Sequence, residues 1–133
     1  MSAETLFEAG RLGRIALIRL KPNQDLVEGV EAACAEAGLG CAMVRSAVGS
    51  LVDGVLGYGA GGSRGLVTVK GPGIEILTLG GEVRPDESGR PRAQLTGTIS
   101  DANAQVYGGT FLRGQNTICI TLELVLQEWI PED

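Results

Sequence analysis

The chain has 133 residues, 44% of them hydrophobic, with 11 basic against 16 acidic side chains, a formal net charge of −5 and no histidine. That length and apolar content fit one folded domain with a core of its own and exclude a disordered chain. The missing histidine excludes Ser-His-Asp and Cys-His catalysis and any imidazole metal ligand. The acidic balance opposes unaided binding to nucleic acid, where neutralised phosphates supply most of the affinity.

Met1 to Leu12 reads as a weakly ordered lead-in. It carries Glu4 and Glu8 and no long apolar stretch, so it is not a signal peptide. No run approaches the roughly 18 apolar residues of a membrane span, and a cytoplasmic protein is expected. Arg14-Ile-Ala-Leu-Ile-Arg-Leu20 reads as a strand, ended by Pro22. Asp25-Leu-Val-Glu28 has the form of a capping box and opens a helix to Ala37. Leu26, Val30, Ala33, Cys34 and Ala37 fall at helical spacing on one apolar face. Gly38 and Gly40 end the helix, as glycine just past a C-terminus does.

Only strands are read beyond that point. They span Cys41 to Val48, Leu51 to Gly57 (interrupted by Gly54), Leu66 to Lys70, Ile74 to Val83, Gln94 to Ile99, Val106 to Arg113 and Thr117 to Trp129. The glycine-rich Tyr58 to Gly65 lies between strands with no strand-to-helix turn after it. It reads as a linker rather than a phosphate cradle. Gly71-Pro-Gly73 is a turn. In the last strand, Ile118, Ile120, Leu122, Leu124 and Leu126 should point one way, and Cys119, Thr121, Glu123, Val125 and Gln127 the other. The sum is a single α+β domain over residues 1–133, with its core at about 14–128: one principal helix packed on a mostly antiparallel β-sheet.

Cys34, Cys41 and Cys119 lack metal-type spacing and read as reduced thiols. Gly89-Arg-Pro91 with Arg92 resembles the core of an AT-hook. Asp86 and Glu87 precede it and strands flank it, so a polar hairpin connection is the better reading. Ser100 to Leu112 is the most distinctive stretch. Its Gly108-Gly109 pair inside a strand marks either a bulge or the wall of a small polar pocket. Glu75 and Glu123 sit within apolar strands and read as rim or interface carboxylates. No residue is assigned a catalytic role.

Three segments, in this order, resemble the PPC domain family, which occurs as a stand-alone protein in bacteria and archaea and fused to AT-hooks in land plants. They are Leu20-Lys-Pro-Asn-Gln-Asp-Leu26, Ile74-Glu-Ile-Leu-Thr-Leu-Gly-Gly81, and Leu95 to Leu112. The resemblance covers about Arg14 to Glu128. It implies an α+β fold, shared with acetolactate decarboxylases, that assembles as a homotrimer. In many relatives a histidine cluster holds a metal. Here those positions are Gln94, Thr96 and Thr110, beside Gly108 and Gly109, and neutral amide and hydroxyl oxygens are poor ligands for a transition metal. No metal and no cofactor are therefore expected. The plant segment tied to partner binding corresponds here to the stretch that includes Ile74, Glu75, Ile76 and Leu77. The resemblance implies a non-enzymatic binding or regulatory module associated with DNA and transcription, with no membrane partner. The alternative is an enzyme or small-polar-ligand binder using the Gly108-Gly109 pocket.

Overall fold

The computed structural model describes residues 5–132. Its elements are β1 (Gly10–Leu20), α1 (Leu26–Ala37), β2 (Ala42–Leu51), β3 (Gly54–Tyr58), β4 (Gly65–Val69), β5 (Ile74–Pro85), β6 (Pro91–Ser100), β7 (Val106–Phe111) and β8 (Ile118–Pro131). A single 3-10 turn, Ala60–Gly62, lies between β3 and β4. The eight strands form one antiparallel sheet in the order β1-β8-β2-β5-β6-β7-β3-β4. The α+β architecture read from the sequence is the one observed. Among the described residues no helix is long and apolar enough to cross a membrane.

α1 forms where the capping signals place it. The Asp25 carboxylate accepts from the Glu28 backbone N–H, and Gly38 adopts a left-handed conformation at φ 70° that returns its N–H to the Cys34 and Ala35 carbonyls. No basic residue lies in the last helical turn. Arg14 supplies the missing charge from β1, donating to the Ala37 and Gly38 carbonyls while pairing with Glu128 at 3.1 Å. The buried helix face is Leu26, Val27, Gly29, Val30 and Cys34, so Ala37, placed on that face by periodicity, is exposed. Gly29 is buried because a Cβ there would sit 3.0 Å from the Leu20 methyls.

α1 covers the inner face of the sheet, where Leu51, Leu56, Ile74, Val83, Leu95, Ile99, Ile118, Leu122, Leu124 and Leu126 are buried. Each such side chain contributes about 1.5–3 kcal/mol of transfer free energy. The outer face carries no helix.

Several strand boundaries differ from the sequence reading, and β6 starts at Pro91 rather than Gln94. β1 begins at Gly10, because Gly10, Arg11 and Leu12 pair with Pro131, Ile130 and Trp129. The lead-in is thus part of the sheet down to Gly10. β2 runs on to Leu51, and β3 starts only at Gly54 after a tight turn. Ile120, read as inward, is 72% exposed. Gly49 faces Leu122 while Leu51 faces Ile118, so β8 places three residues against Ser50 and the alternation is broken there.

Asn116 is the fully buried polar residue of the core. Its side-chain oxygen accepts from Val55 N–H at 2.9 Å, and its amide nitrogen donates to the Val55 and Leu112 carbonyls at 3.0 Å. Its backbone N–H donates to Asp25 Oδ1, and its carbonyl accepts from Leu26 N–H. One residue therefore joins the start of α1, the start of β3 and the β7–β8 loop. Replacing it by alanine strands the Val55 groups in a dry core. Asn116→Ala is expected to destabilise the domain by about 3 kcal/mol, read as a shift of the urea midpoint at unchanged slope. Asn116→Asp, which keeps the acceptor but lacks the amide donors, is expected to be destabilising as well.

Candidate functional site

Two regions of the outer face carry the residues singled out by sequence. The first is a trough of about 510 Å³ where β6, β7 and β3 lie side by side, lined by Tyr58, Thr96, Thr98, Gly108, Gly109 and Thr110 among others. Thr96 lies directly opposite Thr110, Gly97 opposite Gly109 and Thr98 opposite Gly108. Opposed side chains on one face of an antiparallel pair stand about 5 Å apart, so the two threonines can share one ligand or water. The glycines differ in role. A Cβ at Gly109 would fall 2.5 Å from the Gly57 carbonyl oxygen, so glycine there is required by the approach of β3. A Cβ at Gly108 meets nothing nearer than 3.5 Å, and that position simply leaves the trough open. The β6–β7 pairing contains no bulge. The irregularity lies one strand over, between Ile76 and Thr78 of β5.

Gln94 stands outside this trough. It lies two residues before Thr96 on the same face of β6, opposite Glu82, and opens into a separate depression of about 440 Å³ with Arg84, Arg92 and Arg113. Gln94 has no residue of β7 directly opposite, but it shares a face with Thr96 and lies diagonal to Thr110, so the three positions are neighbours on one face and Gln94 also borders the arginine-lined depression. Of those arginines the reading of motifs names only Arg92, beside the AT-hook-like Gly89-Arg-Pro91, and it assigns none of them to a site. A signal for two of them was present: Arg84-Pro85 and Pro91-Arg92 are mirror-symmetric about Ser88, and Arg84 pairs with Arg92 and Pro85 with Pro91 in the hairpin.

Gly89-Arg-Pro91 belongs to the tip of that hairpin. Asp86 Oδ1 accepts from the backbone N–H of Ser88 and of Arg90, and Gly89 turns at φ 86°. This is a folded turn, not the extended strap an AT-hook uses. Ile74 and Ile76 point into the core at 0% and 6% exposure, whereas Glu75 and Leu77 lie on the surface. Any partner reading this strand meets the latter two. Glu123 pairs with Arg19 at 3.4 Å. The three cysteines are free thiols. Cys34 is fully buried, and burial, reinforced by the Glu31 carboxylate, pushes it up to about 11.

The Ser100 to Asn103 stretch is the β6–β7 turn. Asp101 Oδ1 accepts from the Asn103 and Gln105 N–H groups, and Oδ2 accepts from the Tyr107 hydroxyl. The Gln105 N–H, followed by the Asn103 N–H and Tyr107, holds the Asp101 carboxyl below the ordinary carboxylate range, and the hydrogen bond to Asp101 raises the Tyr107 phenol.

Residues 7–130 match the Plants and Prokaryotes Conserved (PCC) domain. The chain belongs to this family. Its fold is similar to that of a plant- and prokaryote-conserved protein of Pyrococcus horikoshii, with a TM-score of 0.82 at 21% identity over 97% of this chain and 87% of that one. It is also similar to a metal-containing protein of Archaeoglobus fulgidus, with a TM-score of 0.78 at 25% identity over 96% and 88%. A candidate DNA-binding protein of Ralstonia eutropha JMP134 gives 0.69 at 17% identity over 87% and 78%. Among curated proteins, a bifunctional protein GlmU of a Synechococcus species is 34% identical over 115 residues, which are 86% of this chain but 17% of that protein's length.

The residues at Gln94, Thr96 and Thr110 do not fit a transition metal. The chain has no histidine, these three offer only neutral amide and hydroxyl oxygens, and no group of three or more Cys, Asp or Glu side chains suited to a metal occurs among the described residues. The lowered pKa of Asp101 gives a test of the turn. Its stabilisation is present above the pKa of the unfolded carboxyl and lost as pH falls through the folded value. Asp101→Asn is therefore expected to lower Tm at pH 7, and the gap from the parent should close as pH falls below about 4.

Proposed function

We propose that the protein is a non-enzymatic binding and regulatory module of the PCC family, working as a homotrimer and associated with DNA. The observation that carries this reading is the family match over nearly the whole chain. The relative in which a similar 115-residue stretch is one part of a longer protein fits a module that serves other activities. The outer face supports self-association. Leu17 and Ile15 of β1 are each 69% exposed and Val48 of β2 is 76% exposed, with Val125 of β8 directly between Leu17 and Ser46. An apolar cluster of this kind on a sheet face without a covering helix among the described residues supports the reading of an interface. Light scattering at micromolar protein is expected to give three times the 13.8 kDa chain mass, and a monomer mass overturns the trimer. The DNA reading is checked by anisotropy of a labelled duplex across a salt series. A binding constant that falls steeply with salt supports it, and no binding at low salt removes it.

A second reading rests on the Thr96–Thr110 trough, whose hydroxyls can donate and accept hydrogen bonds to a small polar ligand. It requires no metal. Protein purified without a tag is expected to hold no stoichiometric zinc, and zinc lost on Thr110→Ala overturns that expectation.

A further inference from the structure

Three of the 11 basic residues of this acidic chain line one depression at the end of the β5–β6 pair. Arg84 and Arg92 are directly opposed across β5 and β6 on the outer face, and Arg113, in the loop after β7 and paired with Glu31 of α1, closes the same depression from the edge of β6 that β7 leaves free. Like charges directly opposed on a sheet repel, and an anion between them reverses the sign of that interaction. Part of the charge is met within the protein. Arg84 pairs with Glu82 at 3.2 Å and with Glu8 at 3.7 Å, and Arg113 pairs with Glu31. The Arg84 pairs are half-exposed and exchange readily with solvent ions. Asp86 feels the Arg92 charge, but among the described residues Arg92 forms no ion pair within 4 Å. Arg113 gives one terminal nitrogen to Glu31 and keeps further donors of its guanidinium fork. Gln94 adds an amide beside them.

A second depression of about 230 Å³ adjoins it, lined by Glu8, Glu82 and Arg84 together with Cys41, Met43 and Trp129. The indole is held in place there, its Nε1 donating to Glu8 at 2.8 Å and its ring lying over Gly10, where a Cβ would fall 2.5 Å from it. A compartment with a fixed aromatic wall, and with Glu8 and Glu82 at its rim, thus adjoins a depression that holds three guanidinium groups and shares Glu82.

We propose that this end of the outer face binds phosphate monoesters that carry an apolar or aromatic body. The phosphate oxygens lie on Arg84, Arg92 and Arg113, where planar guanidinium forks match them two at a time. The body lies against Trp129 and Met43. The site is distinct from the threonine trough, and it stands whether or not the chain associates with DNA.

Trp129 is the sole tryptophan, so its fluorescence reports on the compartment that it walls. Titration of the full chain with phenyl phosphate is expected to change that emission saturably, with Kd no weaker than about 1 mM. Inorganic phosphate should compete, and phenol at equal concentration should not reproduce the change. Arg92 is exposed and forms no ion pair among the described residues, so its replacement leaves the fold intact. Arg92→Ala is expected to weaken binding about tenfold and Arg92→Glu to abolish it, while Arg64→Ala, beside β4, has no effect. Amide shifts of Ala93 and Gln94 provide a second readout. Absence of saturation, equal binding of phenol, or an Arg92→Glu variant that binds like the parent overturns the proposal.

Discussion

The fold hangs on the hydrogen bonds that converge at Asn116. Asp25 and Asn116 are 91 residues apart, yet one carboxylate caps α1 with one oxygen and holds the Asn116 backbone with the other. The Asn116 side chain then fastens the first turn of β3. Without that tie the helix has a start signal but no fixed place over the sheet. With it, Leu26, Val27 and Val30 are set down on the inner face, where the long aliphatic rows of β5, β6 and β8 end. A single buried amide is suited to this because its side chain satisfies three backbone groups deep in the core, which apolar packing alone does not direct so narrowly.

One helix of 12 residues is short for an eight-stranded sheet. The sheet compensates through irregularities that bend it around the core. Register shifts occur in β1 against β8, β2 against β8, and β5 against β6. At two of them a glycine admits the neighbouring backbone: a Cβ at Gly97 would lie 2.1 Å from the Thr78 carbonyl oxygen, and one at Gly49 would lie 2.5 Å from that of Thr121. Bulges raise local twist and curvature, so the inner rows close on themselves while the outer face stays open. That division assigns function to the outer face, since the inner one is filled.

The sequence made the helix, its caps and most strands legible because those signals are local. Asp25, Glu28 and Gly38 act within one turn of their own position, and the alternation in Leu122 to Leu126 reports one face directly. Ile120 was misplaced because its orientation depends on how many residues face Ser50, a fact of the β2–β8 pairing and not of β8 itself. The candidate site was half legible for the same reason. Gln94 and Thr96 share a face by spacing, but which neighbours each meets is set by where β7 stops. β7 ends at Phe111, so Thr96 has Thr110 beside it and Gln94 has the arginine-lined depression instead.

Net charge is a poor guide to such a surface. At −5 the chain repels polyanions at long range, yet a field summed over a whole molecule is screened within about 8 Å at physiological salt. A compact anion already in the depression meets the local charges, which are three guanidinium groups against carboxylates that are largely committed to two of them. The same arithmetic separates ligand classes. A duplex presents many phosphates along a length that must pass acidic surface, whereas a small monoester presents one group to one cluster. Local charge at the Arg84–Arg92 pair and global charge over the chain therefore select for size as well as sign, favouring the small anion over the long one on an isolated chain.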